Sequence, residues 1–262
     1  MDTSCSIRTQ DLQEGAVNHP IKIATGSKDK TVAITPDLET FRPTWRSYVH
    51  SAKVGSVRFR DAHVLASASD DGCVAILDDR IKGDDASPVA LLEGLHNGRP
   101  HSVVWNHQNQ VGGGEGTPVF LTAGLDPVIQ VWDARYLAKG RGGHVCPVAE
   151  YVGHVPNSTK RCKRIHHPVF FHPFQHRNKN SDFFLLTGGE GSHSLTLFSG
   201  NHCTSPTAST VAGAKLSREP VLSRGLLPPD CNHADVGSIS VHGNRVAASV
   251  EGEILLLKPM NQ

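Results

Sequence analysis

The sequence contains no run of about 20 apolar residues, the length a helix needs to cross a bilayer. Its opening, MDTSCSIRTQDLQEG, also lacks the apolar core of a secretory signal. From these absences we expect a soluble intracellular chain, cytoplasmic and/or nuclear. The six cysteines, Cys5, Cys73, Cys146, Cys162, Cys203 and Cys231, include no CxxC pair. Such scatter suits reduced thiols better than a disulfide framework or a zinc knuckle. Neither sign of charge is in excess, with 26 Lys plus Arg against 25 Asp plus Glu. No global field therefore points to nucleic acid or an anionic membrane, and any such contact has to be local. Helical periodicity is missing throughout, and no GxSxG nucleophile elbow occurs. The sequon Asn157-Ser158-Thr159 matters only in a secreted chain.

What the sequence does have is a repeated pattern. A short apolar run, a turn of small or acidic residues and a second apolar run alternating with polar residues recur five times. The copies are IKIATGSKDKTVAI from Ile21, HVLASASDDGCVAIL from His63, VFLTAGLDPVIQVWDAR from Val119, FFLLTGGEGSHSLTLF from Phe183 and RVAASVEGEILLL from Arg245. Runs of this length, rich in Val, Ile, Leu and Phe and broken by Gly, Asp or Ser, read as hairpins of buried strands. Segments between the copies leave room for two more strands each, as in RPTWRSYVHS then GSVRFR, PVALLEG then HSVVWN, and PVAEYVG then HPVFFHP. The unit therefore has four strands. Copies begin about 40 residues apart at first and about 55 to 65 apart later, against about 40 to 45 for a plain four-stranded repeat. Polar or Gly-rich insertions account for the excess: GGGEGT near Gly112, KGRGG from Lys139, QHRNKNSD from Gln175 and NHCTSPTASTVAGAKLSREP from Asn201.

The segment TAGLDPVIQVWDAR from Thr122 carries a turn aspartate, an alternating strand and a terminal Trp-Asp. On these residues the sequence resembles the WD-repeat family. The resemblance implies an all-β fold, a β-propeller whose blades are the four-stranded units. We expect one propeller domain over 1–262, with units at roughly 1–50, 51–94, 95–152, 153–225 and 226–262. Five repeats are visible, and the last lacks room for a fourth strand. The ring is thus expected to be an incomplete seven-bladed one, lacking an N-terminal portion or capped by a partner, because an open ring leaves sheet edges free to pair.

In that family a His, a Ser or Thr, the turn Asp and the Trp form a buried hydrogen-bonded set. The matching positions here are His96, Thr122, Asp126 and Trp132. A buried imidazole, hydroxyl, carboxylate and indole N–H can satisfy one another, whereas each left unpaired costs about 1–3 kcal/mol. His50, Ser67 and Asp71 fit the preceding unit, where Leu77 replaces the Trp. His154 and Thr187 fit the following one, where Phe198 does. A set that recurs in successive units has no reason to be catalytic in any of them, so no enzyme is expected.

Other chemistry is weaker. The glycine-rich loop at Gly112 lacks the Lys-Ser/Thr and the strand-to-helix setting of a phosphate cradle. The histidines of HHPVFFHPFQH, His166, His167, His172 and His176, alternate across a strand and a turn. They do not converge, and no metal or other cofactor is expected. The basic run Lys160, Arg161, Lys163 and Arg164 offers a contact for an acidic peptide or phosphate backbone, without interleaved aromatics for base stacking. Trp132-Asp133-Ala134-Arg135 is similar to the WDxR box of substrate receptors that dock on the damaged-DNA-binding adaptor of cullin ubiquitin ligases. The preceding unit ends Leu77-Asp78-Asp79-Arg80, with the same Asp-to-Arg spacing. The resemblance implies a non-catalytic protein-interaction scaffold, a ligase substrate receptor in its most concrete form, with Asp133, Arg135, Asp78 and Arg80 facing the partner. The alternative is an RNA- or ribonucleoprotein-associated propeller using the basic loop.

Overall fold

The computed structural model describes residues 7–13, 21–36, 42–81, 87–96, 99–107, 118–137, 146–152, 168–171, 184–189, 195–200, 217–218, 222–223, 235–242, 245–250 and 253–257. Contacts divide the chain into two units, Met1–Trp105 with Tyr136–Val145, and Asn106–Arg135 with Cys146–Gln262. Regular structure among the described residues is strand, apart from one 3-10 turn at Ala134–Tyr136.

The first unit opens with β1 (Ile7–Gln13), β2 (Lys22–Ser27), β3 (Val32–Thr35) and β4 (Trp45–Ser47), antiparallel neighbours in that order. A second sheet follows the same order: β5 (Val54–Phe59), β6 (Val64–Ser69), β7 (Val74–Asp78) and β8 (Ala90–Leu92). Next to β5 packs β9 (Pro100–Trp105). Ala24, Val32, Ile34 and Trp45 of the first sheet meet Val57, Phe59, Leu65 and Leu77 of the second in one core. Burial on both faces explains why Val74 to Leu77 are all buried, for a strand covered on two sides reads as a continuous apolar run.

The second unit contains β10 (Val119–Gly124), β11 (Ile129–Asp133), β12 (Ala149–Tyr151), β13 (Val169–Phe171), β14 (Phe184–Thr187), β15 (Thr196–Ser199), β16 (Ser217–Arg218), β17 (Leu222–Ser223), β18 (Val236–His242), β19 (Arg245–Val250) and β20 (Glu253–Leu257). Within it, β10, β11 and β12 are antiparallel neighbours, and β16 pairs with β12 in parallel. Strands β13, β14, β15 and β17 form another sheet, and β18, β19 and β20 a third. Leu186 and Leu195 pack on Val236, Val246, Ala248 and Val250 between those two sheets.

All five hairpins read from the repeats are antiparallel pairs: β2–β3, β6–β7, β10–β11, β14–β15 and β19–β20. Strand β1 had no sequence signal, because IRTQDLQ lacks apolar alternation and its place comes from a backbone ladder to β2. Strand β16 was equally hidden, inside the insertion that starts at Asn201.

Candidate functional site

Two hairpin turns of the first unit share one construction. Ser27 and Ser69 accept from the amides of Asp29 and Asp71 through Oγ, each at 3.2 Å. Those aspartates in turn accept from the amides of Thr31 (3.0 Å) and Cys73 (2.9 Å). Both turns place one residue in the left-handed region, Lys30 at φ 78° and Gly72 at φ 89°.

The turns differ in what else their aspartate holds. Asp29 accepts from its neighbour Thr31 Oγ1 at 2.6 Å. Asp71 reaches the preceding loop, where its Oδ2 accepts from His50 Nδ1 at 3.1 Å and from the Ser51 amide at 2.9 Å. His50 Nε2 lies 2.8 Å from Ser67 Oγ. Burial pushes the Asp71 carboxyl up, but the hydrogen bond and charge of His50, with the Ser51 and Cys73 amides, outweigh it and hold the group well below the usual carboxylate range. The order Ser–His–Asp resembles a hydrolytic triad, yet Ser67 has no exposed surface. A nucleophile must meet its substrate, so here the set ties loop to hairpin instead.

In the β10–β11 hairpin, Trp132 pairs with Phe120 in register and stacks on it, with ring centroids 6.4 Å apart. Its Nε1–H donates to Thr122 Oγ1 at 3.0 Å. Asp126 lies in the turn of this hairpin, while His96 belongs to the other unit, in the left-handed region at φ 60°. In the β14–β15 hairpin Phe198 occupies the Trp position against Leu185, and packs edge-on to Tyr151 at 5.2 Å. The phenylalanine side chain has no N–H, and among the described residues the buried Thr187 hydroxyl has no hydrogen-bond partner. His154 lies outside the described residues.

The two Asp-x-Arg sequences adopt one geometry. At the end of β7, Asp78 Oδ1 accepts from the Arg80 amide (3.0 Å) and Nε (2.9 Å), and Oδ2 from Nη2 (2.6 Å). At the end of β11, Asp133 Oδ1 accepts from the Arg135 amide (3.0 Å) and Nε (3.0 Å), and Oδ2 from Nη2 (2.6 Å). Both carboxylates are sheltered, with side chains 12% and 3% exposed, while the arginines are 64% and 50% exposed. Hydrogen bonds from Arg80 hold the Asp78 carboxyl below its ordinary range. Arg80 itself is raised by the same contact.

Beside this pair lies a network with no local signature. Asp79 Oδ2 accepts from Lys22 Nζ at 2.6 Å and its Oδ1 from His63 Nδ1 at 2.7 Å, and Lys22 also donates to the Ala62 carbonyl at 2.8 Å. Lys22 is 57 positions from Asp79, so only the packing of the first sheet on the second brings them together. Asp70 likewise accepts ion pairs from Lys53 (3.1 Å) and Arg99 (3.3 Å).

Lys160, Arg161, Lys163 and Arg164 lie outside the described residues, as do His166, His167, His172, His176 and the glycine loop at Gly112. Among the described residues Cys73 and Cys146 form no disulfide, and the Cys73 thiol donates to the Asp71 carbonyl at 4.0 Å.

No protein-family model matches the sequence. Over 126 residues, 47% of this chain and 24% of the relative, it is 29% identical to the LEC14B protein of Lithospermum erythrorhizon. A chain in the crystal structure of the mitotic checkpoint complex matches with a TM-score of 0.62 at 20% identity, over 98% of this chain and 62% of that one. The chain thus spans less than two thirds of the length of each of these two proteins. With the repeated hairpins and their turn networks, that likeness identifies the fold of this chain as the WD-repeat β-propeller.

Proposed function

We propose that the chain is a non-catalytic protein-interaction scaffold that docks on the damaged-DNA-binding adaptor of cullin ubiquitin ligases and serves there as a substrate receptor. The observation that supports this reading is the pair of Asp-x-Arg ends at β7 and β11. In each, a sheltered carboxylate orients an exposed guanidinium where the chain leaves its sheet. An arginine held in one geometry loses little side-chain freedom when a partner binds, which suits it to recognition. The guanidiniums are exposed, but the carboxylates beneath them are sheltered and keep only the Arg80 and Arg135 amides when the arginine side chains are removed, so the fold feels the loss modestly and a partner feels it more.

The test is the double variant Arg80→Ala, Arg135→Ala in the full chain. Its melting temperature should fall by a few degrees, with the folded state retained, because two sheltered carboxylates lose their guanidiniums, and recovery of the adaptor in pull-downs from cells should be lost. Undiminished capture, or no capture by the parent chain, overturns the ligase reading and leaves only the generic scaffold.

A further inference from the structure

Two contacts between sheets are built alike. Ala24 and Ile34, cross-strand partners in β2 and β3, share a core with Leu65, Ala75 and Leu77 of the second sheet. Leu186 and Leu197, partners in β14 and β15, share one with Val246, Ala248 and Leu255 of the sheet of β18 to β20. Side chains alternate along a strand, so the residues between these positions point to the opposite face. In both contacts the earlier sheet presents a forward face, and the later sheet receives it on its rearward face.

One face of each kind is open to solvent among the described residues. On the forward face of β18 to β20, Ile254 pairs with Ser249 and Leu256 with Ala247, and Ile254 and Leu256 are each 76% exposed. On the rearward face of the first sheet, Ile23, Thr25 and Ala33 are partly exposed. The Ser27 and Ser69 amides donate to the Thr31 and Cys73 carbonyls, both at 3.1 Å, which sets those three residues level with Leu65, Ser67 and Ala75 of the second sheet. These counterparts have no exposed surface. The open rearward face thus matches, position by position, one that the chain already covers with a forward face.

We propose that the forward face of β18 to β20 docks on the rearward face of the first sheet in a second copy of this chain, so that copies join head to tail. Ile254 and Leu256 leave water against Ile23, Thr25 and Ala33, and apolar burial drives the contact. Arg46 pairs with Ala33 and is exposed at the outer edge of the receiving face. Its aliphatic stem can lie along the sheet while the guanidinium stays in water. The contact joins two different faces, so each added copy leaves one of each kind open and association continues past the dimer. It uses none of the residues of the adaptor reading, and stands or falls apart from it.

The experiment is sedimentation velocity on the full chain from about 2 µM to about 200 µM, since self-association follows mass action. The mean mass of the parent should rise by at least about twofold over that range. Ile254→Arg spoils the forward face and Ala33→Arg the rearward one, and each variant alone should stay monomeric. Mixed in equal amounts, each variant supplies the face that the other lacks, and the mixture should form dimers and stop there. Unspecific sticking of apolar surface would not give this complementation. A parent that stays monomeric overturns the proposal, as does a folded variant that associates as the parent does, or a mixture that forms no dimer. Melting temperatures check both variants. Should Ala33→Arg fail to fold, Thr25→Arg on the same face takes its place, and the parent series beside Ile254→Arg still decides.

Discussion

A buried hydroxyl needs a partner, and three equivalent positions meet that need differently. Ser67 bonds His50 and Thr122 bonds the indole of Trp132, while among the described residues the Thr187 hydroxyl has no partner, the Phe198 ring offering no donor. Asp71 is the most strongly held member, with a carboxyl well below its unfolded value of 3.8. Below that unfolded value the unfolded chain binds a proton that the folded chain resists. Its contribution to stability is thus complete above about pH 4 and is lost as pH falls towards the folded value. Asp71→Asn should cost about 1–3 kcal/mol near neutral pH, measured by urea unfolding. The gap to the parent should narrow as pH is lowered from about 5 to about 2. A gap that stays constant across that range would mean that the His50 contact does not set the Asp71 charge. At this scale the spacing of His50, Ser67 and Asp71 was legible because the set recurs with the repeat. The Lys22–Asp79–His63 network was not, because its members come from two repeats and share no pattern.

Hairpins were the most legible elements, since each is a local event of alternation and turn chemistry. The outer strands were fainter, at three residues each in β4, β8 and β12. Strands β1 and β16 were silent, for a backbone ladder asks little of side chains and both were found only through their neighbours. One glycine shows how closely two elements can approach. Gly188 ends the β14 side of its hairpin under β18, and a Cβ there would stand 2.9 Å from Val236 Cβ and 3.0 Å from Leu195 Cδ2. Neither neighbour is a flexible side-chain tip with room to yield, because both belong to the core between those sheets. Gly188→Ala should lower stability by about 1–3 kcal/mol through overpacking, seen as a lower denaturant midpoint with an unchanged slope. A variant as stable as the parent would show that β18 can shift without cost.

Across the whole chain, equivalent positions have unequal surroundings. Ile76 pairs with Ala66 and Val74 with Ala68, and all four are buried. In the sheet of β18 to β20, Leu256 pairs with Ala247 and Ile254 with Ser249 in the same way, yet Ile254 and Leu256 are each 76% exposed. Side chains that touch little contribute little to folding, while exposed apolar surface promotes association. Ile254→Ser with Leu256→Ser should keep the melting temperature within about 2 °C of the parent. The same variant should scatter less light when concentrated. A clearly lower melting temperature would show that these side chains are covered in solution. The sequence by itself determined the five hairpins, the turn aspartates of three of them and the Asp-x-Arg ends, because each depends on neighbours within one repeat. Only the tertiary structure decided that Ser67 is sealed from substrate and that Lys22 meets Asp79. Burial and long-range charge pairing depend on which sheets pack together, and no local pattern encodes that.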